Sequence, residues 1–254
     1  MKRTVVCMKW GALYSADYVN VLYSAMRENL DGPFRMVCMT DDPSDVAAEV
    51  DCVPIPEMAL SKAGWRRGGW PKLSVLKPGV AGLEGRCLFI DLDTVITGRM
   101  DEFFTYSTSL VMIREWMRLA DRLRRRSYHG ASGIFAWTAG SLNQVWNEFA
   151  ADPAAVLSEF RQEQQFLEYR AGEVAYWPAD WVISFKRTLM APPFLDRMLS
   201  PKPVPPTARV LAFHGYPRPI EVVTDENQRW GRGLHYGRGA VPYVREYWLR
   251  HGGT

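Results

Sequence analysis

Cysteine is scarce in this chain. Four thiols occur in 254 residues (Cys7, Cys38, Cys52 and Cys87), all in the first third or so and each in or beside an apolar run. Their spacing fits no zinc pattern, and a disulfide framework belongs to short secreted chains, so they read as buried, reduced thiols of a cytoplasmic protein. Long apolar runs are lacking too. No segment approaches the ~20 apolar residues of a membrane span. The stretch Thr4–Met8 is too short for a signal peptide, and no small-residue cleavage site follows it. Any membrane contact is therefore expected to be peripheral. Charge of one sign is also missing: 31 Lys and Arg against 28 Asp and Glu leave +3. That falls short of a nucleic-acid-binding footprint and suits a small anionic substrate. There is no internal repeat and no break in composition that demands a boundary, so one domain over 1–254 is expected.

Apolar residues make up 47% of the chain, enough for a substantial core. Strand and helix signals alternate. Thr4–Met8 reads as a strand, and Val19, Leu22, Tyr23, Met26 and Leu30 then recur at helical spacing, with Ser15 as N-cap and Asp31-Gly32-Pro33 as stop. Phe34–Thr40 is a second strand. Cys52–Ile55 is a weaker one that Pro54 confines to an edge. Arg86–Ile90 follows a Gly-rich aromatic loop, Gly64–Lys72, and a short helix. This order implies an α/β fold with a mostly parallel central sheet and helices on both faces. Further on, Leu110–Arg114, Gly133–Trp137 and Val210–Phe213 read as strands. Ser141–Ala151, Gln162–Tyr169 and Val241–Arg250 read as helices, and Ser200–Pro206 as a rigid Pro-rich connector. Residues 1–100 and 101–254 form the two expected halves of that domain.

The chemistry concentrates where Leu88-Phe89-Ile90 runs into Asp91-Leu92-Asp93. Two carboxylates at the end of a buried strand are costly unless partnered. A hard divalent cation such as Mn²⁺ or Mg²⁺ takes oxygen ligands and offsets that cost, with substrate phosphates completing its shell. In open α/β sheets ligands bind beyond the carboxyl ends of the strands. Lys72 offers a point charge to a phosphate, and the aromatic loop with Trp65 and Trp70 is expected to fold over a ligand. His214 ends a short strand and is followed by Gly215, which permits close backbone approach, and by Arg218, whose fork matches phosphate oxygens. Ser132-Gly133 can line an acceptor pocket. Glu163-Gln164 opens a helix and equally suits its first turn. The run Arg122, Arg124, Arg125, Arg126 reads as a solvated basic face.

Taken in order, these pieces resemble the family 8 nucleotide-sugar glycosyltransferases, which have the GT-A fold, a Rossmann-like arrangement. The resemblance runs from Thr4 to about Ile220 and is strongest in Lys72-Leu73 and Phe89-Ile90-Asp91-Leu92-Asp93-Thr94-Val95. It implies a nucleotide-binding half over 1–100 and an acceptor-side half over 101–254, with Lys72 contacting the sugar nucleotide and Asp91 and Asp93 holding Mn²⁺ against the diphosphate, Asp91 also touching the donor. Tyr18 falls where the family places a base-stacking tyrosine. Ser132, within Ala131-Ser132-Gly133, corresponds to a segment facing the donor sugar and acceptor, and Glu163-Gln164 to an Asp-Gln pair near the reacting carbon. The family's late motif, His-Phe-x-Gly-x-x-Lys-Pro-Trp, meets Ala212-Phe213-His214-Gly215-Tyr216-Pro217-Arg218-Pro219-Ile220 here. The histidine stands two positions later. Residues two apart on a strand share a face, so His214 is expected at the metal or diphosphate, with Gly215 and Arg218 beside the phosphates. Ala131 replaces the family's Asn, and Glu163 its Asp.

The implied activity is metal-dependent transfer of a sugar from a nucleoside-diphosphate donor, a UDP-sugar favoured, to a glycan, lipid or protein hydroxyl, with retention. Two other readings stand beside it. Asp91-Leu92-Asp93-Thr94-Val95 also fits the first motif of haloacid-dehalogenase-type phosphatases, with Asp91 as nucleophile, although a strand–helix–strand unit precedes it and no later acidic pair completes that metal site. A degenerate transferase that only binds nucleotide sugars is the other.

Overall fold

The computed structural model describes residues 2–65, 69–116, 130–192, 195–223, 230 and 237–254. The basic run 122–126 lies outside them, as do 66–68 of the aromatic loop.

A seven-stranded sheet organises the chain, in the order β3-β2-β1-β4-β7-β6-β8. Its strands are β1 (Arg3–Lys9), β2 (Arg35–Thr40), β3 (Asp51–Val53), β4 (Arg86–Ile90), β6 (Leu110–Arg114), β7 (Gly130–Thr138) and β8 (Val174–Tyr176). β1, β2, β3 and β4 pair in parallel, as do β6 and β8, while β7 runs antiparallel to both β4 and β6. The sheet is thus mostly parallel, as expected, with β7 the reversed strand. It is continuous across both expected halves of the chain. A second sheet, β5-β10-β9, joins β5 (Thr94–Ile96), β10 (Val210–Ala212) and β9 (Val182–Ser184).

The central strands are apolar on both sides because both faces of the sheet are covered. Val5 and Cys7 of β1, with Leu88 and Ile90 of β4, pack under helix α1 (Ala16–Asn29) and the C-terminal helix α6 (Pro242–Arg250). Their alternates Val6, Met8, Cys87 and Phe89 pack on the other face, against α3 (Asn143–Ala151) and α5 (Glu163–Arg170), which the short α4 (Pro153–Glu159) separates. β3 is an edge strand that stops before Pro54. Ser15 does stand at the N-cap of α1, but its hydroxyl reaches the Asp17 carboxylate, at 3.4 Å, rather than the backbone.

The segment between β3 and β4 departs from expectation. A single turn, α2 (Lys62–Trp65), is followed by 3₁₀ helices at Trp70–Leu76 and Val80–Gly82. Lys72 therefore sits inside a helix rather than before one. Pro71 in the first turn presets φ for that tight winding. Trp70, expected to fold over a ligand, belongs instead to the core. It is 2% exposed and stacks on Phe149 at 5.6 Å, because the face of the 3₁₀ helix that carries it also carries Leu73 and packs on α3 and α5.

Candidate active site

The Asp-x-Asp turn is clamped between the two sheets. The Asp91 N–H donates to the Gly133 carbonyl at 2.8 Å, extending the β4–β7 ladder by one rung, and the Phe213 N–H donates to the Asp93 carbonyl at 3.0 Å, extending β10. Asp91 thus hangs from the large sheet and Asp93 from the small one. Both side chains line a cleft of about 650 Å³ at the carboxyl ends of β1 and β4, within the size range of small-molecule and cofactor sites. Trp10, Tyr14 and Trp65 supply aromatic walls, and Gly11–Leu13, Gly69, Pro71 and Lys72 complete the lining. Trp10 and Trp65 meet edge-on at 6.0 Å. The Asp41 carboxylate anchors this wall by accepting the Gly11 N–H at 3.0 and 3.2 Å.

Lys72 is the hub. Its ammonium lies 2.6 Å from the Asp91 carboxylate and donates to the Ser132 carbonyl at 3.4 Å. The Ser132 hydroxyl donates to Glu163, the first residue of α5, which is 4% exposed. A Cβ on Gly69, at φ +72°, would come within 2.6 Å of the Glu163 carboxylate, so that contact needs glycine. Tyr14 donates to Asp93 at 3.2 Å.

Three carboxylates therefore share one ammonium. Burial raises the pKa of Asp91 and Glu163, with Lys72 pulling the other way. Asp93 is pushed up to about 7 by burial and then by the charge of Asp91. Burial alone would depress Lys72, but Asp91 and then Glu163 hold it above its usual value. Tyr14 is raised by burial and by Asp93 and Asp91. In this surplus of negative oxygen, Asp91 and Asp93 are the residues that could hold a hard divalent cation. No third His, Cys, Asp or Glu converges with them as a ready metal shell among the described residues.

The other expected residues lie apart from this cluster. The His214 Nε2 sits 2.7 Å from the Ser184 hydroxyl, and its ring stacks on Trp116 at 5.5 Å. The imidazole thus departs from the expected metal position, because the turn after β10 sends it toward β9. Gly215 takes φ +71°, and the carbonyl before it accepts from Lys186 at 3.0 Å. Arg218 pairs with the buried Glu221 and reaches the Leu13 carbonyl at 3.3 Å. It braces the rim of the cleft without lining it. Tyr18 is 4% exposed, edge-on to Tyr14 and Trp248 at 4.9 and 4.8 Å. One helical turn separates it from Tyr14, and α1 buries Tyr18 where Tyr14 meets the cleft. Glu163 faces Ser132 and Gly69 rather than the cleft opening, and Gln164 follows it on α5, half-buried.

Sequence reasoning missed Trp10 and Tyr14. Trp10 directly follows β1, at the strand end where α/β sheets bind ligands, and that position was the available signal. Tyr14 carries no comparable mark.

The sheet order, the helices on both faces and the carboxylate turn at the end of β4 define a GT-A-type α/β fold. The chain is similar over 99% of its length to a galactosyltransferase, LgtC, solved in complex with donor and acceptor sugar analogues. The match covers 97% of that chain, with a TM-score of 0.58 and 10% sequence identity. No family model and no curated protein sequence matches the chain. No helix among the described residues is long and apolar enough to cross a membrane.

Proposed function

We propose that this protein is a metal-dependent glycosyltransferase that moves a sugar from a nucleoside diphosphate, a UDP-sugar favoured, to an acceptor hydroxyl on a glycan, lipid or protein, with retention. The observation that carries this reading is the meeting of Asp91, Asp93 and Lys72 in one aromatic-walled cleft on a fold shared with a galactosyltransferase.

Breaking the bond to the donor sugar places negative charge on the departing diphosphate. Asp91 and Asp93 would hold a Mn²⁺ or Mg²⁺ ion, which would neutralise that charge. Lys72, paired with Asp91 in this structure, would offer its ammonium to a phosphate oxygen. The Ser132 carbonyl accepts from the other side of the Lys72 ammonium, and Glu163 bonds the Ser132 hydroxyl, so the charge is aimed before the donor binds. Tyr14 steadies Asp93. Trp10, Tyr14 and Trp65 offer ring faces to the base, and the walls they build keep water from the reacting sugar. Gln164, next to Glu163, is the residue proposed nearest the reacting carbon. A cytoplasmic setting with peripheral membrane contact at most accords with the free thiols.

Titration calorimetry with UDP and UDP-sugars in Mn²⁺ tests the reading. Wild type is expected to bind only with the cation present, and Asp93→Ala to lose at least a hundredfold in affinity. Equal binding in excess EDTA would overturn the metal role. Binding with neither transfer to any acceptor nor hydrolysis of the donor would favour the degenerate module. Hydrolysis of simple phosphate esters, lost in Asp91→Asn, would favour the phosphatase.

A further inference from the structure

Three of the four cysteines stand in one row across the large sheet. Cys7 on β1 is in register with Cys38 on β2, and Cys38 with Cys52 on β3. In-register partners on parallel strands point to the same face, and here that face is the one packed by α1. Cys7 and Cys38 are fully buried, whereas Cys52 lies on the edge strand and is partly exposed. All four cysteines are free thiols.

We propose that Cys38 and Cys52 form an oxidation site that closes to a disulfide when a hydroperoxide reaches the sheet edge. Neighbouring strands lie about 4.8 Å apart, inside the roughly 4.4–6.8 Å between Cα atoms that a disulfide spans. Closure still needs the two Cβ atoms to draw together. β3 allows this, since it is three residues long, is paired on one side only and ends before Pro54. β1 and β2 are each paired on both sides, so Cys7 and Cys38 lack that freedom. Cys7 flanks Cys38 from the other side, and its side chain is the first cause holding the Cys38 thiol below its usual range against the opposing effect of burial, with Lys9 and Cys52 adding to it. Burial raises Cys52 itself, whose place at the sheet edge gives it access to the peroxide. Cys87 is the contrast within the same sheet. It lies on the opposite face with Thr4 and Trp137 as its in-register neighbours, and burial pushes its thiol up to about 12.

The chemistry balances with one hydroperoxide. The Cys52 sulfur takes its distal oxygen, the O–O bond breaks and an alcohol leaves with the thiol proton, giving a sulfenic acid. The Cys38 sulfur then displaces the hydroxyl from Cys52. The S–S bond forms and water leaves with the Cys38 proton. Two thiols are oxidised by two electrons in total, and the peroxide is reduced.

Peptide mapping of the native chain after a limiting pulse of an alkyl hydroperoxide tests this, with free thiols alkylated on denaturation. The expected product is a Cys38–Cys52 bridge, reversed by dithiothreitol, with Cys7 and Cys87 alkylated and Cys52 consumed at least tenfold faster than Cys87. Cys38→Ser is expected to leave a sulfenic acid on Cys52 that a 1,3-dione captures, and Cys52→Ser to abolish the bridge. Uniform slow oxidation of all four thiols, or a bridge that forms only in denaturant, would overturn the proposal. Neither readout depends on the transferase reading.

Discussion

The two sheets treat their functional residues differently. The large sheet, with the segments packed on it, gathers Lys72, Asp91, Ser132 and Glu163 into one network around an ammonium. The small sheet positions Asp93 through β10 but turns the side chains that follow β10 to other partners, His214 to Ser184 and Arg218 to Glu221. The lesson is about partners. A charged group at a strand end goes to the cleft where the fold gives it no closer counter-group, and stays at home where one is three residues away, as Glu221 is for Arg218.

Charge removal separates the two regions most strongly. Lys72→Ala should weaken binding of a nucleoside diphosphate about ten- to a hundredfold, the worth of a hydrogen bond to a charged group. Arg218→Ala should change it less than threefold while costing about 1–3 kcal/mol of stability, because the buried Glu221 loses its guanidinium partner and keeps only the backbone N–H of residue 218. Calorimetry and urea unfolding of both variants measure the split, and equal losses of affinity would erase the contrast.

The pH dependence of the Asp93 side sharpens it further. Metal binding must displace the proton from a carboxyl group that titrates near 7, so Mn²⁺ affinity should fall roughly tenfold per unit as the pH drops below that value. Without the cation the sign for stability is opposite to that of an ordinary salt-bridged aspartate. The folded state holds the proton more tightly than the unfolded chain, so the Asp93 contribution to stability is fullest below about pH 4 and is lost as the pH rises toward 7. Asp93→Asn should remove that slope, and a denaturation series across pH reads it. An unchanged slope in the variant would place the titration elsewhere.

The smallest effect is expected at His214. With its imidazole held by Ser184 and Trp116, His214→Ala should alter Mn²⁺ affinity less than threefold. A loss comparable to that of Asp93→Ala would show that the ring leaves Ser184 for the metal.

Much of this was legible from the chain alone. The short continuous apolar runs of β1, β2 and β4 announce strands buried on both faces, and the carboxylates that stop β4 announce a site at its end. Lys72 was found from its pairing with Leu73 ahead of that strand, and Ser132 and Glu163 from short motifs, with no hint that the two bond to each other. Trp70 and Trp65 looked alike in sequence, yet one fills the core and the other the cleft wall. Which side a residue of a 3₁₀ turn faces depends on what packs beneath it, here Phe149 and Phe166 from distant helices.

Local pattern thus determined most strands of the large sheet, the longer helices and the carboxylate turn, because backbone periodicity and the cost of burying charge act over a few residues. Tertiary structure decided the rest. It sent Tyr14 rather than Tyr18 to the cleft, tied His214 to Ser184, and set three cysteines from distant segments side by side. Those outcomes follow from register between strands and from which partner reaches a polar group first, and neither is written in any single stretch of the chain.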